Sequence, residues 1–211
     1  MRIILLIIAL FITQGGYALQ KPSATPLDHV IAIINDDIIT QTELNQALSF
    51  MHKEIAQSQT LAPSEEALRT EVLDQLINKK LQLQLAKQQG LTVSPGEIEA
   101  AITHIAEQNH LSKEALFEQL SQTGLSAAAY RHTIHDQLIM QKLQQQALAS
   151  KMIVTPEELA SFIRMHPELK EEAHSSRQVM QSMLLQKKFE EAATVWMAQI
   201  RGQAFINILS Q

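Results

Sequence analysis

Six helix-start signals punctuate the stretch between Thr40 and Met165, at intervals of 14 to 30 residues. Each is a Ser or Thr whose hydroxyl can accept a backbone N–H that a first helical turn leaves without a partner. Thr40-Gln41-Thr42-Glu43 reads as a capping box opening a helix to about Ala56. Ser64 opens a long helix to about Gln89, in which Leu68, Val72, Leu73, Leu76, Ile77 and Leu81 recur at mostly three- and four-residue steps, and Gly90 offers a left-handed stop. Ser94-Pro95-Gly96-Glu97 adds Pro at the first helical position, and Ile98, Ile102 and Ile105 follow on one stripe. Ser112 opens a short segment through Leu116 and Phe117 to Gly124, and Ser126 another through Ile134, Ile139 and Leu143 to about Ala149. Thr155-Pro156-Glu157-Glu158 starts a further short helix. The pattern predicts at least five helices here and a mainly α body.

After Met165 the text changes. His166 to Ser176 is polar and reads as a connector, and a last helix spans about Arg177 to Arg201, with Met180, Met183, Leu184, Ala193, Trp196, Met197 and Ile200 at helical spacing and Gly202 as its end. Two short segments flank the helices. Val30–Ile34, before an Asn35-Asp36-Asp37 turn, is rich in branched residues, as is Ala204–Leu209. A lone exposed strand invites aggregation, so the economical arrangement pairs these two in a small two-stranded sheet that brings both ends of the chain together.

Arg2, the apolar run Ile3 to Ile12 and the small residues Gly16 and Ala18 have the form of a signal peptide, residues 1–18, cleaved after Ala18. The run is too short for a bilayer span of roughly twenty residues, so no transmembrane span is expected in the mature chain. With no Cys, disulfides, thiolate metal sites and a Cys nucleophile are excluded. Removing residues 1–18 takes away Arg2 and no acid, leaving 16 basic side chains against 22 acidic ones and a formal charge of −6. That balance argues against nucleic acid as a partner.

The segments LDHVIAIINDDIITQTEL (27–44) and KKFEEAATVWMAQIRGQAFINILSQ (187–211) resemble the two ends of the SurA-type periplasmic chaperones, with Val30, Ala32, Asn35, Asp36 and Ile38-Ile39 matching near the start and Lys188-Phe189, Trp196-Met197 and Ile208-Leu209 near the end. The resemblance implies a multi-helix chaperone core in 19–165, a connector at 166–176 where parvulin prolyl isomerase domains are inserted in the family, and a C-terminal element, 177–211, packing back on the first part. A parvulin domain needs roughly 90 to 100 residues. The connector has eleven, so the expectation is a form without the isomerase and without a cofactor.

As the resemblance implies, the expected function is ATP-independent holding of unfolded outer-membrane β-barrel proteins in the periplasm, with release at the barrel-assembly machinery. Two other readings stay open: an adaptor module that docks one envelope partner or itself, and a residual prolyl isomerase.

Phe117, Leu120, Tyr130 and Met140 are the candidate peptide-binding residues. The first two lie on a short helix with few core obligations, and Tyr130 joins an apolar ring to a polar tip. Ordinary core packing is the alternative for each. His132 and His135 lie three apart on one helix, but without Cys or an HExxH pattern no metal is expected, and Ser64, Ser94, Ser112 and Ser126 are already explained as caps rather than nucleophiles. Trp196 reads as core before client anchor, and the Met residues as core fillers.

Overall fold

Ser64, Ser94, Ser112, Ser126 and Thr155 each accept a backbone N–H three residues on, through the side-chain oxygen. The computed structural model describes residues 28–58, 63–166 and 177–209; the expected signal peptide with its cleavage after Ala18, and residues 167–176 of the connector, lie outside them. The element order is β1 (Val30–Ile34), β2 (Asp37–Thr40), α1 (Gln41–Ser58), α2 (Glu65–Gln88), α3 (Pro95–Gln108), α4 (Lys113–Gln122), α5 (Ala127–Leu148), a 3-10 turn (Ala149–Lys151), α6 (Pro156–Met165), α7 (Arg177–Gln203) and β3 (Ile206–Ile208). A complete capping box stands at Ser94, and the helix start read at Thr155 proves to be a second one, with Pro at the start of each helix. Gly90 and Gly124 take positive φ, +68° and +83°, where a side chain would be strained. At Thr40 the hydroxyl accepts from Glu43 N–H, while the Glu43 carboxylate lies 3.5 Å from Lys80 Nζ.

The expected pairing of the chain ends is present, and the sheet has a third strand. β1 sits between β2 and β3, antiparallel to both. Asn35 at φ 52° turns the chain so that Asp37–Thr40 pairs back on β1, a stretch the sequence offered only as a turn and a cap. The register shifts between Val30 and Ala32. Such a bulge breaks strict alternation, and both Ile31 and Ala32 are buried, Ile31 against α1 and α2, Ala32 with Ile34, Ile39, Ile77 and Leu81. Gly202 lies inside the last turn of α7 instead of ending it, and the helix runs to Gln203.

Three further clusters complete the core. Ile102, Ala106, Leu116 and Ile134 join α3, α4 and the first half of α5; Ala86, Ile139 and Leu143 join α2 and α5 under α7; Leu159, Phe162, Met180 and Leu184 join α6 to the first half of α7. α5 therefore links the α3–α4 bundle to the body, and α7 reaches from α6 to the sheet. Two buried polar side chains sit along the α2–α5 seam. Asp136, 5 % exposed, meets Lys79 Nζ at 2.9 Å, and Gln82 accepts from the Gln144 amide at 2.8 Å. Arg201 fastens α7 to α2 through Asn78 (2.7 Å) and Asp74 (2.9 Å).

Candidate functional site

Phe189, Ala192 and Trp196 recur at helical spacing on α7, opposite the last turns of α5. Trp196 is half-buried: it packs against the cluster of Ala86, Ile139 and Leu143, and also lines a cleft of about 500 Å³ with Ala147, Leu148, Ala192 and Val195. The expected core role thus accounts for only part of the ring. Val195, at 59 % exposed, is the most open large apolar side chain of this cleft, and Lys151, Lys188, Glu191 and Gln199 form its rim. A second cleft of about 540 Å³ shares Leu148 and is lined by Met152, Phe189, Gln141, Gln144 and Gln145, the Gln144 amide nitrogen being engaged by Gln82.

One rim cation is itself held in place. Lys188 Nζ donates to Ile153 C=O and to the Glu158 carboxylate at 2.8 and 3.0 Å. That bond, then the Thr155 backbone N–H, holds the Glu158 carboxyl below its ordinary range. Apolar floors edged by amides suit an extended polypeptide, whose side chains need apolar cover and whose backbone needs hydrogen-bond partners. Met152 adds a surface that adapts to different side chains.

Of the residues singled out from sequence, Phe117, Leu120 and Tyr130 are brought together, half-buried against Ile102, Leu116 and Ile134 in the α3–α5 bundle. The Phe117 and Tyr130 rings meet edge to face with centroids 6.2 Å apart, and the Arg131 guanidinium lies 4.8 Å from the Phe117 centroid. Arg131 and Lys113 both bind Glu99 at 2.7 Å. Burial pushes the Tyr130 phenol up. Met140 does not join this group; it sits half-buried further along α5. The other Met residues divide: Met180 is core, whereas Met165 and Met183 are exposed, against the core expectation.

His132 and His135 do share a face, each with Nδ1 3.4 Å from Asp136 Oδ1. Among the described residues no group of three His, Cys, Asp or Glu side chains is arranged to hold a metal ion. Among the same residues no helix is long and apolar enough to cross a membrane.

The family model of the SurA N-terminal domain matches residues 27–144, from the strand β1 through most of α5. The chain belongs to the SurA N-terminal domain family. It is 36 % identical over 138 residues to the protein named Chaperone SurA of Legionella pneumophila strain Paris, covering 65 % of this chain and 32 % of that one. Against Chaperone SurA of Idiomarina loihiensis the identity is 26 % over 185 residues, 88 % of this chain and 43 % of the other. The match thus spans about a third to somewhat over two fifths of the length of these curated relatives. A solved structure from work on PEB4 and the periplasmic protein Cj1289, two SurA-like chaperones of Campylobacter jejuni, superposes with a TM-score of 0.64 over 87 % of this chain and all of the other, at 12 % identity, and so shares the fold.

Proposed function

We propose that this SurA N-terminal family member is an ATP-independent chaperone of the periplasm that holds unfolded outer-membrane β-barrel proteins and passes them on. Its membership of a family whose matched relatives are named chaperones carries this reading. The clefts on either side of Leu148 support it, since they offer apolar surface and amide groups on rigid helices. The fold's resemblance to a structure from work on a periplasmic SurA-like chaperone supports the compartment. In this reading residues 1–18 are the export signal, 19–165 and 177–211 form one chaperone core, and the short segment between them takes the place of the family's isomerase domains.

Binding rests on burial of client apolar area at about 25 cal/mol per Å², offset by the ordering of the client. The Leu148 clefts are the first contact surface, the outer side of the Phe117, Leu120 and Tyr130 group is a second, and Met140 is a separate contact further along α5. No chemical step is required, and release comes from competition at the barrel-assembly machinery.

The test is refolding by dilution of a urea-denatured outer-membrane porin, with purified residues 19–211 at equal and severalfold molar excess, followed by light scattering. Dose-dependent suppression of aggregation without ATP is expected. No suppression by a folded sample would overturn the reading.

A further inference from the structure

The two edges of the small sheet are treated differently. On β2 the outward N–H of Ile38 is taken up by the Asp37 carboxylate at 3.1 Å, and the strand then passes into α1 at Thr40. That edge is closed by its own chain, one of the ways native proteins blunt a sheet.

β3 has no such device. Asn35 N–H donates to Phe205 C=O and Leu209 N–H to Ile31 C=O, each at 2.8 Å, and Asn207 faces Ile33 between them. In an antiparallel pair the intervening residues point their N–H and C=O the other way. Ile206 and Ile208 therefore present four main-chain groups away from β1, and among the described residues no strand lies beyond them. The edge carries no Pro, Lys or bulge, and its flanks are apolar and open: Phe205 is 60 % exposed and Ile208 52 %. Phe205 also borders a broad cleft between the β1–β2 hairpin and α2, lined by Asn35, Gln84 and Lys87.

We infer that the free edge of β3 is a further binding site, separate from the helical surfaces, where an extended segment of an unfolded client adds as a fourth strand through the backbone of Ile206 and Ile208, with a side chain beside Phe205. This rests on the chaperone reading and supplies it with a sequence-tolerant contact, because main-chain bonds do not read side chains. The occupant follows from the length of the edge. Two copies joined β3 to β3 would pair only three residues each, far below the roughly 800 Å² per partner of a stable interface. A transient client strand needs no more than a few such bonds, each a modest net contribution.

The test uses residues 19–211, a fluorescent ten-residue peptide alternating Val or Tyr with Thr, and the same peptide N-methylated at alternate residues. Ile208→Pro removes one outward N–H and places the ring where an added strand would lie, a position edge strands tolerate; Ile208→Lys blunts the edge with charge if the Pro variant folds poorly. The expected result is an affinity loss of about tenfold for either variant with native thermal unfolding, weak binding of the N-methylated peptide, and slowed hydrogen exchange at Ile206 and Ile208 when the plain peptide is bound. Equal affinity for both peptides, or unchanged binding by the folded variants, would overturn the site. Protection at Ile206 and Ile208 that rises with protein concentration alone would overturn it in favour of self-association. If the wild-type protein suppresses porin aggregation while these results fail, the edge site falls and the chaperone reading stands; if it suppresses none, the chaperone reading falls first.

Discussion

Asn35 and Phe205, 170 residues apart, are bound twice: Asn35 N–H donates to Phe205 C=O at 2.8 Å, and Phe205 N–H donates to the Asn35 side-chain oxygen at 2.9 Å. The same amide donates to Gln84 at 2.8 Å, so one side chain joins the hairpin, α2 and β3. Asn35 also holds φ at 52°, where Asn is less strained than most residues. Asn35→Ala removes both side-chain bonds and adds backbone strain, and is expected to lower stability by about 2–4 kcal/mol. Asn35→Gly removes the bonds without the strain and should cost less. Urea unfolding of the three proteins checks the order; an equal loss in both variants would refute the strain component.

Glu97 sets an acid limit on the α3–α5 contact. Its carboxylate accepts from Lys142 Nζ at 2.6 Å and from the Ser94 backbone and hydroxyl, which hold its pKa down from 4.5 to about 2, Lys142 contributing most. A value depressed in the folded state adds stability above the ordinary carboxyl range and loses it as pH falls through the folded value. Wild type should therefore be more stable than Glu97→Gln at pH 6, with the gap narrowing between pH 4.5 and 2. Unfolding midpoints across that range measure it, and a constant gap would show that the carboxylate charge is not involved. High salt should shrink the gap, since the pair is exposed.

Helix starts were legible because a cap is local chemistry: Ser64, Ser94, Ser112, Ser126 and Thr155 bond within three residues of themselves, and their hydroxyls need nothing from the rest of the fold. β2 was not legible, since four residues that also serve a turn and a cap become a strand only when β1 lies alongside. Gly202 shows the same limit from the other side: α7 continues through it because Arg201 and Ile200 are anchored on α2 and the sheet, outweighing a weak helix former. Asp136 could not be known as buried until Lys79 on α2 came within 2.9 Å. The site was partly legible. The spacing of Trp196 gave its inward face, but its outward face exists only because α5 ends opposite it in the turn at Ala149–Lys151.

Phe117 and Tyr130 show what half-burial means in practice. Each packs on the α3–α5 cluster while keeping part of its ring open, and the Arg131 guanidinium adds a cation–π contact on Phe117. Phe117→Ser is expected to destabilise the bundle by roughly 2–3 kcal/mol. Hydrogen exchange should locate the loss, with α4 amides opening faster while α2 amides near Ile77 change little. Unchanged stability together with weaker client binding would instead assign Phe117 wholly to a groove.

Val195 separates binding from folding more cleanly than its neighbour. Trp196 serves both the core and the cleft, so Trp196→Ala confounds the two, whereas Val195 stands 59 % exposed at the mouth. Val195→Ser should leave stability within about 0.5 kcal/mol of wild type, as is usual for surface changes. If a client covers this side chain, the lost apolar contact is on the order of 1 kcal/mol, or roughly a fivefold drop in affinity for a denatured porin. Fluorescence of Trp196, the only Trp in the chain, gives an independent readout with a Trp-free client peptide, since an occupant of the cleft contacts the ring directly. Full client affinity in Val195→Ser, with no change in Trp196 emission on binding, would remove this cleft from the client path and leave the Phe117–Tyr130 surface and the β3 edge to hold it.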